Sequence, residues 1–205
     1  MKTSKEVLEN HRMYLERMKF YRSFGYDADK EREFILDVAM PVFGNILEVG
    51  TGKGYFALLL AREGYIFSSV DISEEEQNFA RLNLKYFGLE KFADFRIENA
   101  ECMSFDDKSF DVIFSINTFH HLANPFKVID EMIRLITLEG KLVISDFIKE
   151  GLDLMNKIHK SESRIHQVSG VDLSEIEKYL AGAGFTIKKE ESKYQQVLIA
   201  YHQIV

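Results

Sequence analysis

The stretch Glu48-Val49-Gly50-Thr51-Gly52-Lys53-Gly54 has the most chemistry to offer in this chain. An apolar run from Asn45 carries one acid, meets glycine at every second position, and resumes with helix-forming residues from Tyr55. That order reads as strand, tight turn and helix N-terminus. Without Cβ atoms at Gly50, Gly52 and Gly54 a ligand can lie directly on the main chain, and glycine reaches dihedrals that other residues resist. The start of the helix aims free N–H groups and a partial positive charge at that ligand. Glu48 is costly in a buried strand unless something meets it. Tyr65 to Asp71 reads as a second strand ending in an acid, placed where an aspartate accepts hydrogen bonds from both ribose hydroxyls. This is the chemistry of a nucleotide-type ligand.

Spacing selects among such ligands. A dinucleotide fingerprint needs G-x-G-x-x-G, its last glycine letting helix and strand pack closely. Here the pattern is G-x-G-x-G, with Tyr55 next in line. The Gly-Lys-Ser/Thr ending of a phosphate-cradling P-loop is also missing, since Lys53 is followed by Gly54.

With these blocks the chain resembles the class I S-adenosylmethionine-dependent methyltransferases, most closely the small-molecule branch that includes ubiquinone and menaquinone biosynthesis enzymes. The resemblance runs from about Asn45 to Phe147. Asn99-Ala100-Glu101 before Met103-Ser104-Phe105 is similar to the family's Gly-Asp-Ala-Glu block. Ser109 to Ser115 resembles its fourth strand, Thr118-Phe119-His120-His121-Leu122 the His-His-Leu beyond it, and Gly140 to Asp146 the strand after a long helix.

The resemblance implies S-adenosyl-L-methionine as cofactor and transfer of its methyl to a small-molecule acceptor by in-line displacement. It places Glu48, Gly50, Thr51, Gly52 and Gly54 on the cofactor, Asp71 on the ribose and Ile72 on the adenine face. Asn99, Ala100 and Glu101 fall at the base, and Asn117 at the methionine part. Asn99 stands where the family carries aspartate; its carbonyl oxygen still accepts. Glu48 has a second reading, as a carboxylate capping the N–H groups of the glycine loop. Fold does not fix function, so a non-catalytic S-adenosylmethionine-binding sensor or assembly module is the alternative.

His120 and His121 are the candidate catalytic residues. They follow the carboxyl end of a strand, where ligands gather in open α/β sheets, and a histidine can take a proton from an acceptor hydroxyl or amine. The plainer reading is one histidine packed beneath the loop. Adjacent histidines alone do not hold a metal, and enlisting His159, His166 or Glu162 is less economical than a solvated helix-loop there. No metal is expected.

Composition agrees. The chain has 205 residues, 46% hydrophobic and 29% charged, with net charge −7. That fits one soluble domain and argues against a polyanionic substrate. A nucleic-acid base methyltransferase would carry Asn/Asp-Pro-Pro-aromatic after the fourth strand, and Asn117-Thr118-Phe119-His120 lacks both prolines. One cysteine, Cys102, no signal core and no spanning segment point to the cytoplasm and to no membrane partner. Oligomeric state is open.

The elements that must position these residues alternate, predicting an α/β, Rossmann-like, seven-stranded, mostly parallel sheet with helices on both faces. Strands are expected at 45–50, 66–71, 92–98, 110–116 and 140–147, and helices at 54–63, 74–87 and 125–137. Ser73 should cap the 74–87 helix and Gly88 stop it. Residues 1–40 form an N-terminal helical cap, with Val7, Leu8, Met13, Tyr14, Leu15 and Met18 as the buried set of its first helix. The next helix should run from Asp29 to Ala39. Residues 45–147 form the cofactor core. Residues 148–205 hold a substrate-side loop from Phe147 to Gly170, a helix from Leu173 to Ala183, and an antiparallel hairpin. Acceptor specificity is expected from the N-terminal aromatics Tyr14, Tyr21, Phe24 and Tyr26, from that loop, and from the His120–Pro125 turn.

Overall fold

A computed structural model describes residues 4–163 and 171–203. The order of elements is α1 (Lys5–Ser23), α2 (Ala28–Val38), β1 (Ile46–Val49), α3 (Tyr55–Arg62), β2 (Phe67–Asp71), α4 (Glu74–Phe87), β3 (Ala93–Ile97) and β4 (Phe110–Ile116). Then follow α5 (Pro125–Leu135), β5 (Ile136–Phe147), α6 (Lys149–Ser161), α7 (Leu173–Gly182), β6 (Phe185–Glu191) and β7 (Gln195–His202). The strands form one sheet in the order β3-β2-β1-β4-β5-β7-β6. All pairs from β3 to β5 are parallel, and β7 runs antiparallel between β5 and β6.

The central strands β1, β4, β5 and β7 are buried on both faces and read as largely apolar runs, while the edge strands β3 and β6 are mostly exposed. Side chains alternate between two cores. Ile46, Val112 and Val143 face α1 to α4 and α6. Leu47, Ile113 and Leu142 face α5 and α7. The strand order reverses direction between β1 and β4, the switch point at which open α/β sheets bind ligands.

Both caps of α4 behave as read. Ser73 Oγ accepts from the Glu76 N–H at 3.2 Å, and Gly88 closes α4 at φ +69°. Asp172 begins α7 with a capping box to Glu175.

Three expectations are corrected. In α1 the buried stripe is Val7, Asn10, Tyr14 and Met18, while Leu8, Met13 and Leu15 are exposed. A helix buries positions three and four apart, and Leu8 and Leu15 lie off that line. Asn10 takes a core place because its Nδ2 donates to Asn83 Oδ1 at 2.8 Å and to the Phe79 carbonyl at 3.3 Å. Second, α5 stops at Leu135 and β5 begins at once, Ile136 pairing with Phe110. β-Branched Ile136 and Thr137 favour the strand once a neighbour is present. Third, much of the expected 147–170 loop is α6, an amphipathic helix burying Met155 and Ile158. Residues 164–170 of that loop, His166 included, lie outside the described residues.

Lys141 ties the N-terminal helices to the sheet. Its buried Nζ donates to the carbonyls of Ala39 and Pro41, just past the end of α2. Burial pushes its pKa below the ordinary lysine value.

Replacing Asn10 by alanine leaves Asn83 Oδ1 buried without that donor, which costs about 1–3 kcal/mol. Urea unfolding should show a lower midpoint at unchanged m-value.

Candidate functional site

A cleft of about 680 Å³ opens at the carboxyl ends of β1, β2 and β4. Parallel register sets its back wall: Glu48 of β1 lies beside Ser69 of β2 and Phe114 of β4. Gly50, Thr51, Gly52 and Lys53 form one rim, Asp71 and Ile72 a second, Asn99 to Glu101 a third, and Asn117, Thr118 and His121 the fourth.

The glycine loop is pinned by main chain and by one carboxylate. The N–H groups of Gly50 and Thr51 donate to the Val70 carbonyl at 2.9 and 3.1 Å. Asp71 Oδ2 accepts from the Gly52 N–H at 2.7 Å, and Oδ1 from the Ser73 N–H at 2.9 Å. A carboxylate oxygen has a second lone pair, so Asp71 can still accept from a ligand. Gly54 starts α3 at φ +72°, where an added Cβ would lie 2.4 Å from that of Ala80. At Gly50, φ +88°, a Cβ would strike the Thr118 side chain. Gly52 has open space on that side.

Beneath the loop runs a buried polar chain. Gln77 Nε2 donates to Thr51 Oγ1 at 3.3 Å, Thr51 and Ser69 hydroxyls are 2.6 Å apart, and Ser69 Oγ donates to Glu48 Oε2 at 2.5 Å. Burial pushes the Glu48 carboxyl up to about 8, opposed by that hydroxyl and by the Ala57 N–H in the first turn of α3. Glu48 also lines the cleft.

Asn117 stands at φ +54°, and its buried Oδ1 has no hydrogen-bond partner. A buried acceptor without a donor is costly, and the residue that carries it lines the cleft. Ile72 is 73% exposed, an apolar side chain on the rim. Asn99 Oδ1 accepts from the Glu101 N–H at 3.0 Å, and Glu101 Oε1 from Asn124 Nδ2 at 2.9 Å.

The histidines part company. His121 lines the cleft. His120 is buried, its Nδ1 2.5 Å from Asp146 Oδ1, while its own N–H donates to Asp146 Oδ2 at 3.1 Å. Asp146 therefore holds both ring and main chain of the turn that presents His121. Among the described residues no group of three potential metal ligands comes together.

Sequence reasoning missed Arg32 and Tyr55. Arg32 reaches the cleft from α2, with its guanidinium 4.8 Å from the centre of the Tyr55 ring and Nη1 3.4 Å from Asp29 Oδ1. Neither residue belongs to a motif; the packing of α2 beside α3 brings them there.

Residues 47–144 match the family described as "Methyltransferase domain". The chain is 32% identical over 107 residues to methyltransferase GfsG of Streptomyces halstedii, covering 52% of this chain and 38% of that protein. It is 27% identical over 127 residues to a phosphatidylethanolamine N-methyltransferase of Cereibacter sphaeroides, covering 62% of each. The chain thus spans less than two thirds of the length of these relatives. A SAM-dependent methyltransferase from Aquifex aeolicus shares the fold, with TM-score 0.63 and 24% identity over 82% of this chain and 88% of that one. No helix among the described residues is long and apolar enough to cross a membrane. Matched family, glycine loop and seven-stranded sheet agree: residues 47–144 match a methyltransferase domain.

Proposed function

We propose that this chain transfers a methyl group from S-adenosylmethionine to a small-molecule acceptor. The observation that carries the reading is the glycine loop held by Asp71, with Asn117, whose buried Oδ1 is unsatisfied, lining the same cleft. The donor set fits a zwitterionic nucleoside. Asp71 has lone pairs for the sugar diol, and Asn99 and the Ala100 N–H offer an acceptor and a donor for the base. Ile72 supplies an apolar cover. Asn117 Oδ1 and Glu48 suit an ammonium, and Arg32 suits a carboxylate, a task for which Lys53 in the loop is the alternative.

When bound, the cofactor supplies a methyl on a sulfonium, open to in-line displacement by the acceptor nucleophile. The chain contributes positioning and exclusion of water. The Asp71 bonds hold the loop in shape before the ligand arrives, so little ordering remains to be done on binding. His121, on the cleft wall, is the group placed to accept an acceptor proton; His120 and Asp146 hold the turn that carries it.

Thermal-shift measurements should show S-adenosylmethionine and S-adenosylhomocysteine raising Tm, with NAD inert; saturation at 100 Kd is worth about 2.7 kcal/mol. Stabilisation by NAD instead would sink the reading. Asp71→Ala should weaken nucleoside binding by roughly 10–100-fold through loss of charge-assisted bonds.

Glu48 gives a pH signature. Its folded pKa, about 8 against 4.5 ordinarily, means that the folded state holds a proton the unfolded state has released. Stability from this group is therefore lost as pH rises from about 5 to 8. An ammonium on Glu48 favours the ionised form, so affinity for S-adenosylhomocysteine should climb several-fold across that window. Glu48→Gln should flatten both profiles; parallel wild-type and variant curves would remove Glu48 from the site.

A further inference from the structure

A second cavity, of about 560 Å³, lies between α1, the start of α3, α4 and the end of α6. Its rings are Tyr14, Phe20, Tyr55 and Phe79, and its cations are Arg17 and Lys53. Tyr55 and Lys53 line the first cleft too, so the two cavities share a wall. The polar floor is already spoken for: Asn10 Nδ2 donates to Asn83 Oδ1 at 2.8 Å, and Asn83 Nδ2 to the Lys53 carbonyl at 2.8 Å.

Arg17 is the charged feature of this cavity. Its guanidinium lies 5.7 Å from the centre of the Phe20 ring and 5.4 Å from that of Tyr21, with Nη1 2.8 Å from Glu162 Oε1 at the end of α6. The other carboxylate of the lining, Glu16, is engaged by Arg12 at 2.8 Å.

We infer that this cavity holds the body of the methyl acceptor, that the acceptor is an aromatic carboxylate, and that Glu162 occupies Arg17 in its place until it binds. This rests on the cleft being the methyl-donor site. The rings give a planar body faces to stack on. A guanidinium flanked by rings recognises carboxylate by paired, charge-assisted hydrogen bonds. Charge decides the sign. With Glu162 displaced, Arg17 is left as surplus positive charge among the described lining residues, since Glu16 is engaged by Arg12 and Lys53 faces Glu76 at 4.0 Å. An ammonium acceptor meets that surplus as repulsion. A neutral one gains nothing from Arg17, which then stays with Glu162. The volume lies within the range of small-molecule sites, about 300–1,000 Å³.

The test uses the whole chain saturated with S-adenosylhomocysteine and isothermal titration calorimetry. Phenylacetate and indole-3-acetate are each compared with the corresponding primary amide and amine. One of the two carboxylates should bind at least tenfold more tightly than its amide and amine. Glu162→Gln should tighten the carboxylate several-fold and leave the amide unchanged, while Arg17→Met should bring the carboxylate down to the amide. Retained S-adenosylhomocysteine binding checks the fold of each variant. Should Arg17→Met fail that check, the charge series on the native chain and Glu162→Gln decide. Preference for amide or amine, absence of carboxylate binding at millimolar concentration, or a silent Glu162→Gln overturns the inference. If S-adenosylhomocysteine itself does not bind, the donor-site reading falls and this one with it; bound nucleoside without carboxylate preference removes this one alone.

Discussion

The grip of Asp71 on the glycine loop is the constraint on which the site depends. One carboxylate at the end of β2 accepts from Gly52 in the loop and from Ser73 at the cap of α4. It thereby joins the two turns that bound the cleft. The loop can follow this path only because Gly50 and Gly54 sit at positive φ with side-chain atoms of Thr118 and Ala80 pressed against them. Main-chain donors there are consequently prepaid in conformation, and a ligand meets them already ordered.

Polarity in the cleft is bought at a cost in stability that the rest of the fold absorbs. Glu48 is buried with a carboxyl raised to about 8, and Asn117 combines a left-handed backbone with an unpartnered oxygen. Such groups are unfavourable in an empty protein and become favourable against complementary charge. Around them the central strands are apolar on both faces, two cores filling the space under α1–α4 with α6 and under α5 with α7. Rigid strands carry the unfavourable groups, and turns at their carboxyl ends display them.

The N-terminal helices serve the same end from outside the family block. Lys141 holds the end of α2 to β5, and from α2 Arg32 reaches Tyr55 at the wall between two cavities. The helix that covers the sheet therefore also lines the cleft. His120 is a parallel case: Asp146 on β5 fixes it, and the turn so fixed leaves His121 on the cleft.

Local chemistry was legible where a residue type admits few conformations. Glycine spacing, Ser73 and Gly88 around α4, and apolar runs of strand length state their place in the fold from the sequence. The sheet and the place of the glycine loop followed from them. The sequence alone could not say that α1 buries Asn10 and exposes Leu8 and Leu15, because that depends on a polar partner, Asn83, from α4. Nor could it separate His120 from His121, neighbours of one type whose fates are set by a carboxylate 26 residues on. Arg32, Tyr55 and the Arg17–Glu162 pair belong to no motif. Their meeting is decided by how helices pack, and packing is a property of distant surfaces brought together rather than of adjacent residues.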